Sequence, residues 1–299
     1  MKLGISSYTF NWAMGMAGYD RPKHPLTAID LIHTAARMGA GVVQLCDAVP
    51  LATMMTSELD DLAALARGVG VDLEIGTSGT EPRRLRAFLA IATRLGARVV
   101  RTLLHAPDSS PTLVQAEGWL REVAPDYADA GVTLGVENHD RQTCRELVAL
   151  VNSVDSPACG ICLDTANSLG ALETTEAVLR LLMPYAVEIH YKDYAIGRVA
   201  NQMGFAVTGA IAGQGVVDGG LVARSLRGSG RDMNVILEMW PPFQGTVEES
   251  IAMEADWAEQ SFRYLASRPW QSGDAADVDV DEDADAADAA PETDGKGEA

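Results

Sequence analysis

Short apolar runs alternate with longer segments of helical periodicity along the first 266 residues of the chain. The apolar runs predict strands at 2–7, 42–46, 71–75, 98–104, 132–137, 160–163, 187–191 and 234–239. The segments with apolar residues at helical spacing predict helices at 26–38, 58–68, 82–95, 112–130, 143–152, 174–182, 219–227 and 247–266. Continuous apolar strands between amphipathic helices are typical of a parallel sheet that is covered by helices.

Eight strand–helix units are the number that a closed (β/α)8 barrel requires. A doubly wound open sheet usually has fewer units and often carries a glycine-rich first turn, whereas the segment after the first predicted strand, 6–10, contains no glycine. We therefore predict an α/β fold of the TIM-barrel class, with residues 1–268 forming one catalytic domain. A long polar and glycine-rich stretch, 193–215, is predicted to be a loop, and its part 201–215 is predicted to form part of a lid.

The composition changes abruptly after Pro269. Residues 271–299 contain 11 acidic residues and a single basic one, so this segment carries about half of the net charge of −19. Its low apolar content predicts that 269–299 is an acidic, low-complexity and disordered tail. The acidity of the whole chain argues against nucleic acid and anionic membrane surfaces as partners, because both attract basic proteins.

Nothing at the start of the sequence resembles a secretory leader, since the chain enters the first predicted strand directly. No apolar run approaches the roughly 20 residues of a membrane-spanning helix. The 4 cysteines are expected to be reduced thiols in a chain of this length without a leader. These features together predict a cytoplasmic protein.

Four consecutive predicted strands end in a side chain that can bind a metal ion. These side chains are Glu137, Asp164, His190 and Glu238. Barrel enzymes place their chemistry at the carboxyl ends of the strands, so the four side chains are expected to meet there. Three carboxylates and one imidazole form a donor set suited to Mn²⁺, Mg²⁺, Co²⁺ or Zn²⁺. The alternative is that each charged residue only begins a solvated loop, but three clustered carboxylates without a cation would repel one another.

With these strand ends, the sequence resembles the xylose isomerase-like barrels, also called the sugar phosphate isomerase/epimerase superfamily. The resemblance covers residues 2–266. It is carried by the order and spacing of five motifs, which are VENH at 136–139, LDTAN at 163–167, IHYKD at 189–193, GQGVVD at 213–218 and LE at 237–238.

The resemblance implies that Glu137, Asp164, His190 and Glu238 hold one divalent ion, with Mn²⁺ the expected metal. It also implies that Glu137 and Glu238 act as an acid/base pair on opposite faces of the substrate. The implied function is a sugar isomerase or epimerase acting on a ketose, keto-sugar or inosose, by removing a proton next to a carbonyl through a metal-stabilised enediolate. The alternative is a lyase that uses the same site, such as an inosose or dehydroshikimate dehydratase or a C-glycoside-cleaving enzyme.

Five further residues are candidates for substrate binding. They are Arg101, His139, Asn167, Lys192 and Arg198. Asn167 stands where the epimerases commonly carry a histidine, so it can bond a hydroxyl but cannot titrate near neutral pH. Lys192 lies two residues after His190 and points to the same side of the strand. A loop hydrogen bond for His139 and a salt bridge for Lys192 are the structural alternatives.

Two other candidates sit near the predicted mouth. Glu74 ends the third predicted strand, where a structural ion pair is favoured over a place in the mouth. Trp12, after the first strand, is expected either to stack on a sugar or to form an apolar cap or oligomer contact.

The expected partner is a small carbohydrate or polyol, and the resemblance implies a dimer or tetramer without selecting between them. A nuclease of the endonuclease IV type is disfavoured, because its metal cluster needs many histidines and this chain has 5.

Overall fold

The structure is a computed structural model that describes residues 1–271. Eight parallel strands close into a barrel. They are β1 (Leu3–Ser6), β2 (Val42–Leu45), β3 (Asp72–Ser78), β4 (Val99–Leu103), β5 (Thr133–Glu137), β6 (Cys159–Asp164), β7 (Ala186–Tyr191) and β10 (Val235–Leu237). Their order is β1-β10-β7-β6-β5-β4-β3-β2, so successive barrel strands pair, and β10 closes the barrel onto β1. The predicted (β/α)8 barrel is confirmed.

Helices pack around the outside of the barrel. They are α1 (Asn11–Met14), α2 (Ala28–Met38), α3 (Thr56–Val69), α4 (Pro82–Leu95), α5 (Leu113–Ala130), α6 (Cys144–Val154), α7 (Thr175–Leu182), α8 (Gly219–Ser229) and α9 (Val247–Ala266). Thr27, Thr112 and Thr143 cap α2, α5 and α6, because each hydroxyl accepts the backbone N–H three residues further on. None of the helices within residues 1–271 is long and apolar enough to cross a membrane.

The segment predicted as a loop at 193–215 contains an antiparallel hairpin instead. Its strands are β8 (Tyr194–Arg198) and β9 (Phe205–Gly209). Aromatic and branched residues such as Ile196 and Val207 favour strands, and they outweigh the two glycines that the strands contain, Gly197 and Gly209. The predicted lid segment, 201–215, therefore includes β9 of this hairpin.

The chain stays packed on the barrel as far as Trp270. This indole is buried, and its N–H donates to the carbonyl of Leu265 at 2.6 Å. Arg227 donates to the carbonyl of Pro269. The predicted disordered tail begins at Pro269, but Pro269 and Trp270 are held to the barrel by these bonds. The rest of the predicted tail, from residue 272, lies outside the described residues.

One buried carboxylate organises the chain that follows β7. Asp193 Oδ1 accepts the backbone N–H groups of Tyr194 at 2.8 Å and Val217 at 3.0 Å. Its Oδ2 accepts those of Gly213 at 2.9 Å and Gly215 at 3.0 Å. Gly213 has a positive φ of 82°, and a Cβ on Gly215 would collide with the Asp193 carboxylate. The GQGVVD motif thus folds around the aspartate of the IHYKD motif, and holds the segment that leads into α8.

Replacing Asp193 by asparagine should lower the free energy of unfolding by about 2–4 kcal/mol, because the new amide presents N–H to donors that lose their acceptor. Chemical denaturation followed by circular dichroism measures this change. Asp61→Asn, an exposed change on α3, is the matched control and should be close to neutral. A wild-type stability for Asp193→Asn would show that the four contacts do not anchor this segment.

Candidate active site

The four predicted metal ligands meet at the carboxyl end of the barrel. One donor atom from each of Glu137, Asp164, His190 and Glu238 lies within 4.8 Å of the others, and all four residues are buried. Glu137 and Asp164 end their strands, His190 is the penultimate residue of β7, and Glu238 directly follows β10. Since alternate positions of a strand face the same side, the barrel geometry turns these side chains toward one point on its axis.

Asn138 holds the backbone of Asp164, and two backbone N–H groups fix the orientation of its carboxylate. The Asn138 amide donates to the carbonyl of Asp164 at 2.9 Å and accepts its N–H at 2.7 Å. Asp164 Oδ1 accepts the N–H groups of Ala166 at 2.7 Å and Asn167 at 2.8 Å. Its other oxygen, Oδ2, is therefore the one directed at the other ligands.

Lys192 lies among the carboxylates rather than at the edge of the site. Its Nζ is 2.9 Å from Asp164 Oδ2, 3.0 Å from Glu238 Oε2 and 3.2 Å from Asn167 Oδ1. Burial disfavours the ammonium, but the charges of Asp164 and Glu238 outweigh it and raise the pKa of Lys192. The Trp240 ring covers the same ammonium, with its centroid 4.7 Å from Nζ.

Arg101 forms a buried ion pair with Glu137. The guanidinium Nε contacts Glu137 Oε2, and both side chains are almost fully buried. The other carboxylate oxygen of Glu137 accepts the Asn167 amide at 2.6 Å. Burial alone would raise the pKa of Glu137, but the charges of Arg101 and His190 outweigh it and lower that pKa far below its ordinary value.

Three atoms of the four candidate ligands have no hydrogen-bond partner among the described residues. They are both ring nitrogens of His190, and Asp164 Oδ2, which has only the ion contact with Lys192. His190 Nδ1 lies 3.2 Å from Glu238 Oε1 and 3.7 Å from Glu137 Oε2. Buried polar atoms are rarely left without partners unless an ion or water completes them. Three carboxylates and one imidazole with such free atoms fit a divalent cation of the hard to borderline kind.

A cavity of about 420 Å³ opens from this cluster to the surface. One side is polar and is lined by Arg101, Glu137, His139, Asn167, Lys192 and Glu238. The other side is mainly apolar and is lined by Tyr8, Asn11, Met16, Leu103, Met239, Trp240 and Pro241. The cavity therefore offers charged and hydrogen-bonding groups beside the ligand cluster, and an apolar wall opposite them.

Two sequence candidates lie at the edge of this cavity or outside it. His139 lies at the rim, where its Nδ1 is 2.6 Å from Asp140 Oδ1. Arg198 is exposed on the hairpin, with its guanidinium over the ring of Phe205, and does not line the cavity. The resemblance made Arg198 a candidate through its place in the predicted loop after β7, whereas the residue ends β8 and lies outside the cavity lining.

Two candidates turn out to be buried structural residues. Glu74 lies inside β3 rather than at its end, and it accepts the Asn234 amide at 2.7 Å instead of forming the expected ion pair. Trp12 is buried, and its indole N–H donates to the carbonyl of Pro241 at 2.8 Å. This bond joins the segments after β1 and β10. Trp12 is therefore packed within the protein and is outside the cavity lining.

Tyr8, Trp240 and Glu188 were not among the candidates from the sequence. Tyr8 and Trp240 line the cavity from the segments after β1 and β10, and their positions near strand ends were the available signal. Glu188 is fully buried two residues before His190, so strand alternation was enough to place it on the same side.

Comparison with known proteins identifies the family. A family model described as the xylose isomerase-like TIM barrel matches residues 23–267, and the chain belongs to that family. The resemblance seen in the sequence is thereby confirmed.

One relative and two solved structures show what the chain is similar to. The chain is 34% identical over 268 residues to a 3-oxo-isoapionate decarboxylase of Pectobacterium atrosepticum, covering 90% of this chain and 96% of the relative. Among solved structures, D-psicose 3-epimerase from Clostridium cellulolyticum H10 has a TM-score of 0.68 at 18% identity, covering 89% of this chain and 98% of the other. A xylose isomerase-like barrel protein of Mycobacterium smegmatis, in complex with magnesium, has a TM-score of 0.61 at 15% identity, covering 88% and 97%.

Removing one ligand should abolish tight binding of a divalent ion. We predict that the wild-type protein binds one Mn²⁺ per chain in isothermal titration calorimetry, and that Asp164→Ala weakens this binding at least about 100-fold, because it removes the best-oriented carboxylate. Asp140→Ala, at the exposed rim, is the control and should bind like the wild type. Equal affinities of Asp164→Ala and the wild type would contradict the ligand assignment.

Proposed function

We propose that this protein is a divalent-metal-dependent decarboxylase that acts on a small 3-keto sugar acid. The observation that carries the proposal is the buried pairing of Arg101 with Glu137, together with the second buried cation, Lys192. The 34% identity to a 3-oxo-isoapionate decarboxylase across 96% of that relative supports the same choice of substrate class.

The Arg101 pair argues against two equivalent acid/base carboxylates. Epimerisation needs one carboxylate to remove a proton from carbon, and the other to return one on the opposite face. Because Arg101 lowers the pKa of Glu137, that carboxylate is a weak base. Glu238 is then the remaining acid/base candidate from the predicted pair. Loss of CO₂ from a 3-keto acid needs no base, so one such group is sufficient.

Two cations that line the same cavity suit an anionic substrate. Arg101 and Lys192 are both nine-tenths or more buried, and both line the cavity wall that also carries Glu238. Positive groups in a buried cavity bind a carboxylate strongly, because little water competes for either charge. We assign them to the carboxylate and neighbouring hydroxyl oxygens of the substrate, with Asn167 bonding a further hydroxyl.

Glu137, Asp164, His190 and Glu238 would hold the divalent ion. When bound, the ion supplies a positive charge that stabilises the negative charge developing on the substrate carbonyl oxygen. Arg101 and Lys192 hold the substrate so that the carbon–carbon bond to its carboxylate breaks. The electron pair of that bond forms the enolate, and CO₂ leaves. Glu238 then takes a proton from the Lys192 ammonium, whose Nζ lies 3.0 Å from its Oε2, and passes it to the carbon that has lost CO₂; solvent re-protonates Lys192.

Isomerisation or epimerisation of a ketose is the second candidate. Glu137 and Glu238 both line the cavity, as a reaction with two opposed carboxylates would require. Both reactions pass through the same kind of enediolate, so the ligand set alone does not separate them.

The reaction test compares a keto acid with ketoses. Incubation of the Mn²⁺-loaded protein with 3-oxo-isoapionate in D₂O should release CO₂, which is trapped and counted. The other product should be a ketone one carbon shorter, with one deuterium at the carbon that carried the carboxylate. Ketohexoses should neither exchange nor epimerise under the same conditions. Exchange and epimerisation of a ketose, without CO₂ from the keto acid, would favour the second candidate and contradict the first.

Glu238→Gln should reduce turnover about 10²–10⁴-fold, because the amide cannot deliver a proton to carbon. Turnover is measured as CO₂ release at saturating Mn²⁺ and keto acid. Glu259→Gln, at an exposed position on α9, is the matched control and should keep the wild-type rate. A fully active Glu238→Gln enzyme would contradict the role given to this residue.

A further inference from the structure

A layer of buried polar side chains lies inside the barrel next to the candidate metal site. It contains Gln44, Glu74 and Glu188, all at most 3% exposed. Gln44 and Glu74 are paired across β2 and β3, and Glu188 projects from β7 on the same side as His190. The inner layers of such barrels are usually filled by branched apolar residues. Two buried carboxyl groups at this depth are costly unless each is bonded or paired.

Partners hold one end of each carboxyl group in the layer. Gln44 Nε2 donates to Glu188 Oε1 at 2.5 Å, and Asn234 Nδ2 donates to Glu74 Oε1 at 2.7 Å. Burial and the neighbouring Glu188 charge raise the pKa of Glu74 well above its ordinary value. The Gln44 contact fixes which oxygen of Glu188 remains free.

The free oxygen of Glu188 faces the metal ligand. Glu188 Oε2 lies 3.6 Å from His190 Nε2, and neither atom has a hydrogen-bond partner among residues 1–271. The other ring nitrogen, Nδ1, is the one beside Glu137 and Glu238. The 3.6 Å separation exceeds a hydrogen bond by about 0.5 Å, so a small rotation of either side chain would close it.

We propose that Glu188 is a positioning residue that accepts the Nε2–H of His190 and thereby keeps Nδ1 unprotonated toward the ligand cluster. A histidine that binds a metal usually donates its second ring N–H to an acceptor, which fixes the tautomer and the ring orientation. In the opposite tautomer the proton lies on Nδ1, and an Nε2 lone pair faces the Glu188 carboxylate. That arrangement blocks the ligand and places two acceptors against each other. The inference rests on the metal site of the proposed function, but not on decarboxylation.

Glu188→Gln tests the proposal, because Gln44 dictates how the new amide is oriented. Gln44 Nε2 is a donor, so it should bond the carbonyl oxygen of the introduced amide. The amide N–H₂ then faces His190 Nε2. A donor in that place favours the Nδ1–H tautomer and disfavours the metal. The dissociation constant for Mn²⁺, measured by isothermal titration calorimetry, should rise about 10–100-fold. Glu74→Gln is the matched control in the same layer, and should leave the Mn²⁺ affinity close to the wild-type value.

Nuclear magnetic resonance of ¹⁵N-histidine-labelled wild-type protein reports the tautomer of His190 directly. This second measurement does not require Glu188→Gln to fold. In Zn²⁺-loaded wild-type protein, the His190 signal, identified by its loss in His190→Asn, should show a protonated Nε2 and an unprotonated Nδ1. A proton on Nδ1 would overturn the proposal, and so would an unchanged Mn²⁺ affinity in folded Glu188→Gln. Failure of the wild type to bind Mn²⁺ would instead contradict the metal site itself, so the two failures are distinguishable.

Discussion

Three buried carboxylates that converge at one end of the barrel are the constraint on which the site depends. Glu137, Asp164 and Glu238 lie where water cannot screen their mutual repulsion, so the fold must supply positive charge within a few ångströms. Arg101 takes one oxygen of Glu137, and Lys192 lies between Asp164 and Glu238. A divalent ion at the same point would have to share Asp164 and Glu238 with the Lys192 ammonium, or displace it.

The same charges determine the chemistry that the site supports. Pairing with Arg101 keeps Glu137 ionised and reduces its strength as a base, which weakens the case for a symmetrical pair of acid/base carboxylates. Arg101 and Lys192 line the cavity and are the contacts proposed for an anionic substrate, which a neutral ketose does not require. A keto acid uses both features at once, because its carboxylate meets the cations and its loss needs no base.

Much of this arrangement was predictable, for reasons that lie in the periodicity of the sequence. Apolar runs and helical segments placed eight units, and the rule that strands of a barrel converge at their carboxyl ends brought the four ligands together. The sequence could not show which cation pairs with which carboxylate, because Arg101 and Glu137 are 36 residues apart and their contact depends on the stagger of β4 and β5. The hairpin was missed since glycine and polar residues outweighed its strand formers. The bond between Glu188 and Gln44 was missed because it crosses the barrel between β2 and β7.

A crystal structure of the Mn²⁺-loaded protein, with anomalous diffraction recorded at the manganese edge, tests the central claim most directly. We expect a single anomalous peak within about 2.0–2.4 Å of one donor atom from each of Glu137, Asp164, His190 and Glu238. We also expect Lys192 Nζ to have left Asp164 Oδ2, which then binds the ion, while it stays within reach of Glu238. Absence of a peak at this point, with Lys192 still bound to both carboxylates, would show that the lysine is the permanent cation of the site and would contradict the account.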